Sequence, residues 1–265
     1  MFGFSFKKRP AAPVVPALAP PLPQARFATL RMSMMGRKGS GCLPENQDRV
    51  LERRFVLDDS EVLLIAVADG VSRCPAGGAI ANYLISEHLA SDPLFDHPRR
   101  GNAKQWSRRL PPLLRRYLRQ LHGHFYKEFE GNPAMLDSAC TLSVVVLEHA
   151  SAHCMWVGDS PIFLARMDNG CYVTRQLSVP DLWGRLLIDC FGAHAPFEIK
   201  YARAELQVND LIAVASDGVA KDPETFSAML NDFGPSPKLL KGVESNALSS
   251  SYYDDASLVL AHRIG

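Results

Sequence analysis

The 265-residue sequence predicts one α+β domain behind a proline-rich tail. Three observations carry that reading. Two short apolar runs, residues 62–72 (VLLIAVADGVS) and 211–220 (LIAVASDGVA), each end abruptly in Asp-Gly. Between them, residues 76–129 place apolar side chains largely at helical spacing. From Ser138 onward the texture changes to β-branched runs punctuated by turn residues. No segment repeats at a fixed period, and nothing marks a second domain.

An unbroken apolar run of this length fits a strand buried on both faces. The Asp then stands where the strand leaves the core, and the Gly lets the backbone turn tightly or approach a ligand. Two such elements with nearly the same spelling suggest a pair of carboxylates brought to one mouth.

Composition narrows the class. Apolar residues make up 47% of the chain and the net charge is +1, enough for a packed core and no whole-chain attraction to nucleic acid or acidic membranes. The six cysteines (42, 74, 140, 154, 171 and 190) include no C-x-x-C pair and read as thiols, most of them buried, of a cytoplasmic protein. No apolar stretch approaches the ~18–20 residues that span a bilayer.

The elements follow in order. Lys7-Lys8-Arg9 and the apolar stretch 11–23 have the order of a secretory signal, but prolines at 13, 16, 20, 21 and 23 break a helical signal core. Residues 1–25 therefore read as a flexible, polyproline-prone tail, either inert or docking a partner, with a signal peptide as the alternative. Residues 26–35 alternate as a first strand. The loop 36–41 (GRKGSG) offers Arg37 and Lys38 either as a phosphate cradle or as a solvated turn; Cys42 excludes a Walker motif. A strand at 50–58 and the central apolar run follow.

A helix is expected over 76–90, with Ile80, Tyr83, Leu84 and Leu89 on one face. A second, over about 102–129, is interrupted or restarted at Pro111-Pro112. Its arginines at 108, 109, 115, 116 and 119 form a basic face, either solvated or receiving an acidic or phosphorylated partner. His122 and His124 have no ligand-spaced companions and read as structural. Strands are expected at 141–147, 152–157 and 162–167, with a hairpin turn at Asp168-Asn169-Gly170. Residues 176–200 are irregular; strands resume at 198–206 and 211–216, then a helix at 223–233 and a closing strand at 256–261.

Five aspartates share a context. Asp48, Asp69, Asp159, Asp217 and Asp254 each lie at the edge of an apolar strand, without His or Cys partners. Such a set suits a hard cation bound through oxygen, Mg²⁺ or Mn²⁺, because crowded carboxylates otherwise repel. Two ions could acidify a water and direct it at phosphorus. For any single Asp-Gly the plain strand-end turn is the competing reading.

The ordered series NQD (46–48), VADG (67–70), CT (140–141), VGDS (157–160), LIAVASDG (211–218) and DDAS (254–257) resembles the metal-dependent type 2C serine/threonine protein phosphatases, in particular bacterial single-domain members. The resemblance covers residues 26–263. It implies two packed antiparallel β-sheets flanked by helices, with a binuclear Mn²⁺ or Mg²⁺ centre at the sheet edges. By position, Asp69 would bridge the metals with the Gly70 carbonyl as a further ligand. Asp217 and Asp254 would hold the first metal, Asp48 would support the second, and Asp159 matches a weaker third. The implied reaction is attack of a metal-bridging hydroxide on phosphoserine or phosphothreonine of a protein substrate that a cognate kinase has modified.

The sequence departs from that pattern in places. Leu43 stands where the family has its phosphate-binding Arg, leaving Arg37, Lys38 or Arg49 to supply the charge. Gln47 replaces a common Glu, Cys140 a Gly, and Pro161 an Arg. The Asp-His of the flap region is missing around 178–182, and a short stretch between Asp159 and Asp217 implies a reduced flap. These changes touch substrate binding more than metal binding, so a phosphoprotein-binding scaffold is the alternative to an active enzyme. An aspartyl-phosphate hydrolase fails for want of a second acid after Asp69, and a von Willebrand-type metal site fails on spacing.

Overall fold

The computed structural model describes residues 26–36, 45–57, 60–91, 103–183, 186–192, 197–249 and 254–265. The tail, Arg37, Lys38, Cys42 and Leu43 lie outside the described residues. Along the chain come β1 (Phe27–Met34), β2 (Arg49–Leu57), β3 (Ser60–Ala68) and α1 (Gly77–Asn82), which runs on as a π-helical turn over Tyr83–Leu89. Next are α2 (Ala103–Glu128), α3 (Pro133–Leu136), β4 (Ala139–Cys140), β5 (Leu142–Glu148), β6 (Ser151–Val157), β7 (Ile162–Asp168) and β8 (Cys171–Gln176). The short ladders β9 (Leu182–Trp183), β10 (Leu186–Leu187) and β11 (Phe191–Gly192) precede β12 (Lys200–Glu205) and β13 (Leu211–Ala215). Helices α4 (Pro223–Phe233) and α5 (Pro237–Ser249) and the strand β14 (Ala256–Arg263) close the chain.

Two five-stranded antiparallel sheets result, ordered β1-β14-β13-β7-β8 and β12-β6-β5-β3-β2. Their inner faces share one core. Leu63, Ile65 and Val67 of β3 meet Ile162, Leu164, Ile212, Val214 and Val259 from the opposite sheet. The outer face of the β3 sheet packs Leu64 and Ala66 under α1 and α2, and the outer face of the other sheet packs under α4 and α5. Helix, sheet, sheet and helix therefore lie in four layers, as the resemblance implies. This layering is why 62–68 is apolar at every position: both faces of the strand are covered and all seven residues have no exposed surface.

α2, α5 and the cysteines differ from expectation. α2 runs without a break through Pro111 and Pro112. Two missing backbone donors are outweighed there by the buried Leu110, Leu114, Leu118, Leu121 and Phe125 stripe that binds the helix to the sheet. α5 was not foreseen, although Leu239, Val243 and Ala247 recur every fourth residue and are all buried. The cysteines are less buried than expected: Cys140 and Cys154 are buried, Cys74 and Cys190 half-buried, and Cys171 exposed. The Asn169-Gly170 hairpin is as read, both residues having positive φ (50° and 85°).

Phe125 anchors α2. It is fully buried and meets Tyr83, Phe129 and Phe191 at ring-centroid distances of 5.5, 5.1 and 5.8 Å. Phe125→Ala is expected to destabilise the fold by about 3–5 kcal/mol, read as a lower urea midpoint. A loss below about 1 kcal/mol would mean that α2 is not integral to the core.

Candidate metal centre

The five aspartates converge because both sheets present the same end. Asp48 directly precedes β2 and Asp69 directly follows β3, and the pairing of Arg49 with Ala68 sets the two side by side. Leu142 of β5 pairs with Val157 of β6, which brings Gly158-Asp159 to that same edge. In the facing sheet, Ala215 pairs with Leu258 and the Ser216 amide donates to the Ser257 carbonyl at 2.9 Å. Asp217 and Asp254 are thereby held at the end of the neighbouring strands β13 and β14. Thr141 locks the Asp69 corner: its amide donates to the Asp69 carbonyl (2.8 Å), and its hydroxyl accepts from the Asp69 amide (3.2 Å).

The glycines of the two Asp-Gly pairs permit close approach. A Cβ on Gly70 would fall 2.5 Å from the Gly77 backbone and 2.9 Å from the Gln47 Cβ. One on Gly218 would fall 2.1 Å from the Asp255 carbonyl oxygen. Neither residue has a positive φ, so packing rather than a turn conformation demands glycine.

Electrostatics single out Asp69. Burial pushes its carboxyl well above the ordinary carboxylate range, and Asp48, Asp217, Asp254 and Asp159 push it further, in that order. Asp48 lies beneath, 1% exposed, and burial raises its carboxyl to about 7. Ser216, Ser257 and Asp69 approach Asp48 and oppose that rise, but among the described residues neither buried oxygen has a partner at full hydrogen-bond geometry. Asp159 is raised by burial first and by Asp217 second. Lys221 approaches Asp217 at 3.1 Å.

Among the described residues, no three such side chains stand close enough to chelate an ion as placed. The donor chemistry nonetheless fits a hard divalent cation. All the donors are oxygens, four carboxylates crowd Asp69, and among the described residues the buried Asp48 carboxylate lacks a partner.

Two acids of structural importance escaped the sequence reading. Asp255, 2% exposed, accepts from the amides of Gly36 (2.9 Å) and Gln47 (2.7 Å). It thus staples the Asp48 loop to the opposite sheet. Asp181, 1% exposed, accepts from the Gly158 amide at 2.9 Å and pairs with Lys200, fixing the backbone beside Asp159. An acid therefore stands in the flap region, although the Asp-His pair itself is missing. Asp181→Ala leaves a buried Gly158 donor unpaired and is expected to cost about 3–5 kcal/mol. Differential scanning calorimetry checks this; an unchanged Tm would remove Asp181 from the site's framework.

Arg49 has a structural task. One terminal nitrogen of its guanidinium donates to the carbonyls of Asn46 and Asp48, each at 2.8 Å, so the side chain clamps the loop carrying Asp48. Gln47 is buried, and among the described residues its side-chain oxygen has no partner.

A sequence model of the family "Protein phosphatase 2C" matches residues 43–250, well over half of the chain. The chain belongs to the protein phosphatase 2C family. Among solved structures, it is similar to a serine/threonine phosphatase of S. agalactiae, with a TM-score of 0.71 at 17% identity over 91% of this chain and all (100%) of that one. The catalytic domain of the phosphatase PstP in complex with two manganese ions gives 0.68 at 19% identity, over 90% of this chain and 99% of that one. PppA, a regulatory component of the type VI secretion system of Pseudomonas aeruginosa, gives 0.67 at 18%, over 90% and 98%. No curated protein sequence matches. Among the described residues, no helix is long and apolar enough to cross a membrane.

Proposed function

We propose that this protein is a Mg²⁺- or Mn²⁺-dependent protein-serine/threonine phosphatase, a phosphoric monoester hydrolase, with residues 26–265 as its catalytic unit and 1–25 as a tail that docks a partner. The observation that carries this is the convergence of four carboxylates on Asp69 from the same end of both sheets, an arrangement that calls for divalent counter-charge. In this reading Asp69 would serve both ions, with the Gly70 carbonyl as a further ligand; Asp217 and Asp254 would hold the first, Asp48 would support the second, and Asp159 would serve a weaker third. Bound there, the ions would supply an acidified water and offset the charge of the phosphoryl oxygens.

The chain's own residues do the positioning. Thr141 and Asp255 hold the loops of Asp69 and Asp48 in register, and Asp181 fixes the backbone before Asp159. The substrate would be a phosphoprotein made by a cognate kinase, in the cytoplasm, where the five described cysteines, all free, would stay reduced.

Phosphate release from a phosphothreonine peptide, titrated with Mn²⁺ and with Mg²⁺, tests the proposal. Turnover that appears with metal and vanishes with chelator is the expected result. Metal binding by calorimetry without turnover on peptide or aryl phosphate would replace the enzyme by a phosphoprotein-binding scaffold.

A further inference from the structure

Away from the carboxylates, Pro112, Arg115, Arg116, Arg119 and Gln120 of α2 line an open groove of about 470 Å³. Among the described residues, no carboxylate lines it. Tertiary structure uses the three arginines sparingly. Arg115 lies over the Tyr201 ring, 5.6 Å from its centroid, and its buried Nε has no partner among the described residues. Arg116 and Arg119 are exposed, and among the described residues neither has an ion pair.

The groove is joined to the metal centre along two routes. One turn beyond Arg119, His122 contacts the Gly192 carbonyl at 3.5 Å; Gly192 pairs with Ala139, and the adjoining Cys140 bridges to Gly70. On the other side, Tyr201 follows Lys200, the partner of the Asp181 that holds Gly158.

We infer that this groove docks an acidic segment of the phosphoprotein substrate, outside the segment that enters the metal centre. The inference rests on the phosphatase reading for the identity of the partner. Planar guanidinium groups match carboxylates in pairs of hydrogen bonds. Arg115 and Arg119 are separated by about 6 Å along the helix axis at 1.5 Å per residue. Alternate side chains of an extended peptide are separated by about 6.6 Å at 3.3 Å per residue. Acidic residues at every second position therefore meet both arginines in register. A nucleic acid fits less well: the chain carries a net charge of only +1, and the groove is a few side chains long.

Two measurements on the full chain with Mg²⁺ test the docking. In the first, fluorescence anisotropy follows a labelled peptide of alternating Glu and Gly, with an alternating Gln-Gly peptide as control. Wild type is expected to bind the acidic peptide in a salt-dependent manner, and R115Q/R116Q/R119Q to bind it about tenfold or more weakly. R116Q/R119Q keeps the Arg115 stem on Tyr201 and gives the same direction of change if the triple variant fails to fold. In the second, a phosphothreonine peptide carrying the acidic tract is expected to show a raised KM in the variants. Its kcat, and turnover of p-nitrophenyl phosphate, should be unchanged.

Equal acidic-peptide binding by wild type and variants overturns the docking site. So does tighter binding of a single-stranded oligonucleotide than of the peptide. A wild type that turns over no phosphate ester overturns the phosphatase reading instead, and the anisotropy comparison then decides the groove by itself.

Discussion

Asp69→Asn is expected to abolish metal-dependent phosphate release while making the metal-free protein more stable. Four carboxylates crowd Asp69 and burial disfavours its charge, so the acid opposes folding until a cation arrives. Replacing it with a neutral isostere removes that repulsion, and with it the group that would hold the ions. If the ions supply about 4 kcal/mol of transition-state stabilisation, turnover falls about 1000-fold. Phosphate release and a thermal melt in chelator, run on the same preparation, read both effects. A metal-free Asp69→Asn that melts below wild type would contradict the crowding. Full activity in the variant would remove Asp69 from the centre.

The second large effect is in pH. Asp48 ordinarily titrates at 3.8, and burial raises it to about 7 in the folded protein. Between those values the native state holds a proton that the unfolded chain has released. Its contribution to stability is complete below about pH 4 and is lost as pH rises through 7. Asp69 and Asp159 are raised as well and act in the same direction. Asp48 by itself accounts for about 4 kcal/mol across that span.

Three histidines, one buried and two half-buried, work against this slope. His153, lowered to about 4, and His122 and His262, also lowered, favour folding as pH rises toward their ordinary 6.5. Subtracting the urea-derived stability profile of Asp48→Asn from that of wild type, both in chelator, isolates the carboxylate. The difference is expected to turn against wild type as pH rises from 5 to 8, and Mn²⁺ to stabilise wild type more at pH 8 than at pH 5. A pH-independent difference would mean that Asp48 is charged in the metal-free fold.

Much of the architecture could be read without coordinates. Residues 62–68 and 211–215 are apolar throughout because each strand is covered on both faces, and that pattern requires no knowledge of the partners. Asn169-Gly170 announces its hairpin through backbone sterics, which are local. The Asp-Gly pairs mark close backbone approach, though not what approaches. The helical spacing of 102–129 is legible too; the prolines predict a break there because local propensity does not contain the tertiary packing that overrides it.

Local rules fail where a residue's role is set by a chain segment far away. Asp255 reads as one more turn acid until its carboxylate is seen to accept from Gly36 and Gln47, 219 and 208 residues distant. Asp181 sits in an irregular stretch with no periodicity to flag it, and its meaning lies in Gly158 and Lys200. Short-range sterics and burial period are written in consecutive residues, so the strands and the five aspartates could be found there. Hydrogen bonds and charge coupling across two sheets depend on which strand ends the fold brings together, and that is settled only by packing.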